Sequence, residues 1–159
     1  MPKLDLDAIP LASRSDYPPP YRDAVAGRWQ ERLAPIVGMA RLGASYVVLK
    51  PGAWSSQRHW HVGEDELLMM LTGQAVLVED AGETVLGPGD CCAWAAGVAN
   101  GHHLQNRSAE DCSFVVVSAG AEEGGDYPDI DMMWEADGRY RHRDGTPYPA
   151  EEVQPTDLA

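Results

Sequence analysis

Residues 51–73 read PGAWSSQRHWHVGEDELLMMLTG, and at their centre His59-Trp60-His61 is followed five positions on by Glu66. Side chains alternate faces along a strand, so His59 and His61 point the same way and are placed to chelate one ion. Glu66, delivered by the next strand after a turn over 62–65, adds a hard oxygen to two imidazoles. That donor set suits Fe, Mn, Ni, Co or Zn. The stretch therefore predicts a divalent-metal site inside a β-barrel. A short HxH pattern by itself is more often a surface triplet, so the rest of the chain has to support the assignment.

Outward from this stretch the texture is that of an all-β domain. Short runs rich in Val and Leu, broken by Gly, Pro and Asp, predict strands at 45–50, 57–62, 66–71, 74–79, 83–86, 91–95, 102–106 and 113–118. Eight strands at this spacing suit a jelly roll. Thr72-Gly73 and Asp80-Ala81-Gly82 read as hairpin turns, and Gly87-Pro88-Gly89-Asp90 as a tight reversal. Residues 1–34 read as an N-terminal arm, Pro-rich up to Tyr17-Pro18-Pro19-Pro20. Within it Val25, Trp29 and Leu33 recur every four residues and predict a short helix over 22–33, interrupted by Gly27. The barrel is expected over 35–118 and a C-terminal extension over 119–159. In the extension, segments 131–136 and 139–143 flank Asp137-Gly138, a preferred hairpin pair. An isolated two-stranded ribbon is marginal in water, so this hairpin is expected to pack on the barrel or on a second subunit, giving a homodimer. The last residues, from Pro147 on, are expected to fray.

Composition bounds the function. The net charge of −13 argues against nucleic acid as a partner, because phosphates select basic faces. No apolar run approaches the roughly 20 residues of a membrane helix, and no secretory signal is visible, so a soluble, cytoplasmic protein is expected. Cys91, Cys92 and Cys112 form no CxxC pair and are read as strand residues without chemistry of their own.

Four of the five histidines fall in two short segments, the second being His102-His103 within 96–106. Only one of that pair can face inward on a strand. Here the chain resembles the cupins, a superfamily of small β-barrels that includes germins, phosphomannose isomerases and many dioxygenases. Gly52, His59, His61, Glu66 and Gly73 match the first cupin motif, with six residues between Gly52 and His59 where five are usual. His102 and Asn106 keep the His-to-Asn spacing of the second motif. Ala95 stands where proline is usual, and Asn100 occupies the position that the usual spacing gives to histidine. The resemblance implies His102 as the fourth ligand, and parity supports it over His103, because His102, Leu104 and Asn106 share a face. The tail, with Tyr127-Pro128-Asp129, is similar to a group of bacterial single-domain cupins with sugar-phosphate-isomerase-like names.

The expected fold is thus a cupin double-stranded β-helix, a jelly-roll barrel with an N-terminal arm and a C-terminal β-hairpin extension. Its cofactor is one divalent transition metal on His59, His61, Glu66 and His102, with positions left for a small-molecule substrate. Parity gives Gln57, Leu68, Met70, Trp94 and Asn106 as residues of the substrate pocket, and no catalytic acid or base is assigned. Arg58 points away from the metal and reads as a solvated charge. Three functions follow: a metal-dependent isomerase or epimerase of a sugar-like or hydroxy-carbonyl compound, an Fe-dependent dioxygenase, or a small-molecule-binding protein without catalysis.

Overall fold

Val47 and Leu49 on one strand, Leu68 and Met70 on a second and Phe114 on a third are all buried, while their neighbours Val48, Leu67, Met69 and Val115 face outward. This two-residue period builds the first wall of a barrel. The structure is a computed structural model that describes residues 3–149. Its strands are β1 (Arg28–Arg32), β2 (Gly43–Leu49), β3 (Trp60–His61), β4 (Glu64–Thr72), β5 (Ala75–Glu79) and β6 (Gly82–Leu86). They continue as β7 (Cys91–Trp94), β8 (His103–Gln105), β9 (Cys112–Gly120), β10 (Gly125–Tyr127), β11 (Met132–Trp134) and β12 (Tyr140–Arg141). A five-stranded sheet in the order β1-β2-β9-β4-β7 faces a three-stranded sheet β6-β5-β8, with antiparallel pairing throughout. Ala75, Leu77, Leu86 and Leu104 from the smaller sheet close the core against the larger one. This is the expected jelly roll. Each of the strands expected between 45 and 118 has a counterpart, although 57–62 is reduced to the short β3.

The helix expected over 22–33 is not formed. A 3-10 turn at Asp23–Val25 gives way at Gly27 to β1, which runs antiparallel along the edge of β2 from Arg28↔Leu49 to Arg32↔Ser45. A single helical turn, α1 (Leu33–Ile36), follows. Gly27 explains the change, because a Cβ there would lie 2.8 Å from the Ala53 Cβ and 3.2 Å from the Lys50 Cβ. The chain is pressed flat against 50–53, and the open edge of β2 offers backbone partners that outweigh a weak helical preference. Val25 and Leu33 are buried but Trp29 is exposed, so the three do not share a face.

The hairpin around Asp137-Gly138 forms as β11 and β12, with Met133↔Arg141 and Trp134↔Tyr140 in register. It does not stand alone. β10 pairs with β11 on one side and with β3 on the other, extending the sheet as β12-β11-β10-β3 and placing the extension across the segment that holds His61. Tyr127, Met132 and Trp134 form a second core with Tyr17 and Val25 of the arm. Pro147 to Pro149 are not frayed: Arg141 bridges to Pro147, and Tyr148 N–H donates to Tyr140 O at 3.1 Å. The rest of the expected tail lies outside the described residues. Among the described residues no helix is long and apolar enough to cross a membrane.

Candidate metal centre

Three separate pieces of backbone bring His59, His61, Glu66 and His102 together. His59 and His102 form an isolated antiparallel bridge, which fixes the two histidine segments side by side. β3 carries His61, and β4 turns Glu66 inward on the same face as Leu68 and Met70. One ligand atom from each of the four residues lies within 4.8 Å of all the others, a spacing that can hold one metal ion. Glu66 sits between two of the rings, with Oε2 3.5 Å from His61 Nε2 and Oε1 3.3 Å from His102 Nε2.

The remaining ring nitrogens set the tautomers. His59 Nδ1–H donates to Gln57 O at 2.9 Å, with Ser56 Oγ at 3.2 Å, and His102 Nδ1–H donates to Asn100 O at 3.3 Å. Each bond leaves an Nε2 lone pair for a ligand role, the arrangement common behind metal-bound histidines. His61 is different: both of its ring nitrogens are buried without a hydrogen-bond partner, although Glu64 and Glu66 carboxylates lie 3.5 Å away. A buried imidazole with orphaned nitrogens costs stability unless something else binds it, and a cation among three imidazoles and a carboxylate does so. Three imidazoles and a carboxylate therefore fit a divalent transition metal.

Electrostatics agree. Burial pushes His59 down to about 3, with repulsion from His102 adding to the effect, so its ring is neutral and available. Burial opposes ionisation of Glu66, but His102 and His61 outweigh it and hold the carboxyl below its ordinary range. For His61 burial works against charge, yet Glu66 and Glu64 raise the imidazole above its ordinary value. Trp94 backs the site: its ring stacks on His102 at 3.8 Å and 9°, while its indole N–H donates to Glu79 at 2.6 Å.

The cluster opens into a cavity of about 200 Å³ lined on the metal side by His59, Glu66 and His102 and elsewhere by Leu68, Leu104, Phe114 and Val116. Of the residues given to the pocket by parity, Leu68 lines it. Met70 lies in the core between the sheets. Gln57 is buried with its amide donating to Tyr21 O at 2.8 Å, and Asn106 ties down the 106–110 loop through Leu49 O and Glu110 O, each at 2.8 Å. Both polar side chains are spent on backbone partners. Asn100 turns away from the cluster and donates to Glu79 at 3.0 Å. His103 lies on the opposite side of its strand, its Nδ1–H donating to Ser56 O at 2.9 Å against the Trp54 ring. Arg58 is not a solvated charge: it pairs with Asp80 and, through two bonds of 2.6 and 2.7 Å, with Asp129 of the extension.

Several residues around the site carry no local sequence signal. Tyr17, Arg28 and Gln30 reach the cavity from the arm and β1. Trp134 lies 5.7 Å from the His59 ring and 5.3 Å from the His61 ring, and Tyr127 lies 5.7 Å from His59. Gly125 allows this cover, since a Cβ there would collide with the Trp134 ring and the Trp60 carbonyl.

A double-stranded β-helix with a three-histidine, one-glutamate cluster at its mouth defines a class of barrel, and the chain belongs to the cupin superfamily. Residues 45–118 match the Cupin domain family. A cupin-superfamily sugar phosphate isomerase from Silicibacter pomeroyi is 41% identical, with a TM-score of 0.86 over 96% of this chain and 100% of that one. A candidate sugar phosphate isomerase from Acidithiobacillus ferrooxidans is 23% identical, with a TM-score of 0.65 over 73% of this chain and 76% of the other. The polyketide cyclase RemF from Streptomyces resistomycificus is 20% identical, with a TM-score of 0.61 over 75% and 79% of the two chains. These last two likenesses are likenesses of fold. No curated protein matches the chain significantly.

Proposed function

We propose that this cupin is a metal-dependent enzyme that isomerises or epimerises a small hydroxy-carbonyl compound, with His59, His61, Glu66 and His102 as the metal ligands. The observation that carries the reading is the junction of this cluster with a small cavity, in a chain alike over 96% of its length to a sugar phosphate isomerase. A divalent ion held there supplies Lewis acidity to oxygens bound beside a C–H bond. The chain's own residues do the rest. Leu68, Leu104, Phe114 and Val116 keep the cavity apolar. Trp134 covers His59 and His61 against solvent. Tyr17, which burial keeps protonated and whose hydroxyl accepts from Gln57 N–H at 3.3 Å, forms part of the cavity wall. The cavity is below the usual 300–1,000 Å³ of ligand sites, which favours a substrate of few carbons.

The test is deuterium exchange. Protein loaded with Zn or Mn is incubated in D2O under strict anaerobiosis with a panel of aldoses, ketoses and hydroxy-carbonyl compounds, and the α C–H signal is followed by NMR. Exchange that needs the metal and is lost in His61→Ala supports the reading. Exchange that survives His61→Ala, or its absence across the panel, sinks it.

The partner proposed is a second copy. Outward-facing Tyr46, Val48, Leu67, Met69, Val115 and Val117 run without a break across β2, β9 and β4, so two copies facing each other would cover the same apolar surface on both. Light scattering on wild type and Met69→Glu tests this, with a dimer expected only for the wild type.

A further inference from the structure

Among the described residues Arg28 is the one cationic side chain that lines the cavity. It stands at the first position of β1, opposite Leu49, and its Nη1 donates to Ser55 O at 2.7 Å. Nη2 donates to Arg14 O at 3.1 Å, so the arm holds the other end of the fork. Nε is buried and has no partner. Arg58, Arg107, Arg139, Arg141 and Arg143 each pair with a carboxylate, whereas among the described residues Arg28 is met only by carbonyls. Glu66, the only carboxylate among the described residues of the lining, lies 3.5 Å from His61 and 3.3 Å from His102 within the cluster.

A guanidinium stays charged at any working pH, and a cation against a low-dielectric wall without a counter-charge is electrostatically incomplete. Its planar fork matches the oxygens of a carboxylate or a phosphate. A divalent ion on the three imidazoles and Glu66 adds to the same imbalance, leaving the lining with excess positive charge. We propose that Arg28 is an anion-recognition residue, and that the molecule taken by this cavity is a small acid or phosphate ester whose anionic group pairs with Arg28. This rests on the reading of the cavity as a substrate site. Arg14 and Ser55 act as positioning residues through their carbonyls, which gives the arm a share in specificity.

The experiment separates this from the question of turnover. Inorganic phosphate and acetate are titrated by calorimetry into metal-stripped wild type, Arg28→Met and Arg28→Lys. Saturable binding of either anion, weakened about 10- to 100-fold in Arg28→Met and less in Arg28→Lys, supports the proposal. The anion that binds more tightly names the substrate group. Binding unchanged in Arg28→Met, or no saturable binding of either anion to wild type, overturns it. If Arg28→Met fails to fold, the Nε–H resonance of Arg28 in 15N-labelled wild type decides: a saturable shift with the anion supports recognition, and an unmoved resonance refutes it. Turnover without anion binding would leave the metal enzyme standing and remove the role of Arg28. Anion binding without turnover would do the reverse.

Discussion

His59 and His102 exchange backbone hydrogen bonds in both directions, His59 N–H to His102 O at 3.2 Å and His102 N–H to His59 O at 2.9 Å. Two members of the cluster far apart in sequence are thereby held at a fixed separation. The cluster is preorganised, and loss of one side chain should not move the others.

Removal of a ligand is therefore expected to weaken binding without rebuilding the site. His61→Ala and His102→Ala should each lower Zn affinity by more than about 100-fold, beyond the 10- to 100-fold typical of residues behind the ligands. His103→Ala should leave the metal in place and lower stability by about 1–3 kcal/mol, because Ser56 O loses its buried donor. Elemental analysis and urea unfolding distinguish the two outcomes, and equal metal loss in all three variants would contradict the assignment.

Metal affinity should fall with acid, and His61 sets the window. A proton and a cation compete for the same Nε2 lone pair. His59, pushed down to about 3 by burial, offers no competing proton near neutrality, whereas Glu66 and Glu64 raise His61 above its ordinary value despite its burial. Affinity is then highest above the raised His61 value and drops by about tenfold per pH unit below it. Competitive chelator titrations between pH 8 and pH 5 measure this, and a flat profile down to pH 5 would exclude it.

Tryptophan emission should report occupancy. Trp94 stacks on His102, and Trp134 lies across His59 and His61. Co²⁺ should quench wild-type emission, quench Trp94→Phe less, and leave the Trp94→Phe/Trp134→Phe double variant nearly unaffected. Undiminished quenching in the double variant would place the ion elsewhere.

Arg58 links the extension to the barrel through Asp129 while also holding Asp80. Its side chain is 14% exposed against more than half for both partners, so the bidentate pair is partly shielded. Arg58→Met is expected to lower stability by about 1–3 kcal/mol and to expose the β10–β12 segment to limited proteolysis. Unchanged cleavage of that segment would show that its apolar packing alone is sufficient.

Cysteine labelling should follow burial. Cys91 is exposed and Cys112 is buried, and burial pushes the Cys112 thiol up to about 11. A thiol reagent at pH 8 should modify Cys91 in the native protein and reach Cys112 only at the rate of unfolding. Mass spectrometry of partially labelled protein reads the order.

The cluster residues in 51–73 were legible because strand geometry has a short period: His59 and His61 share a face by parity alone, and Glu66 follows across a short turn. The same parity separated His102 from His103. It did not say what an inward polar side chain bonds to, so Gln57 and Asn106 look like pocket residues in the sequence and are backbone anchors in the structure. The 22–33 segment shows the limit of periodicity over a short window, since an apolar residue at every fourth position was overruled by the free edge of β2.

By itself, then, the sequence determined the barrel and most of its strands, and it brought His59, His61 and Glu66 to one place, because both depend on local alternation and on spacing within short segments; His102 entered through the resemblance to cupins. Only the tertiary structure decided what surrounds that cluster. Arg28 and Tyr17 enter the cavity because β1 pairs with β2 and the arm packs behind it, and Trp134 covers the histidines because β10 pairs with β3. These contacts join segments well separated in sequence through backbone hydrogen bonds that any residue but proline can make, so no residue pattern announces them.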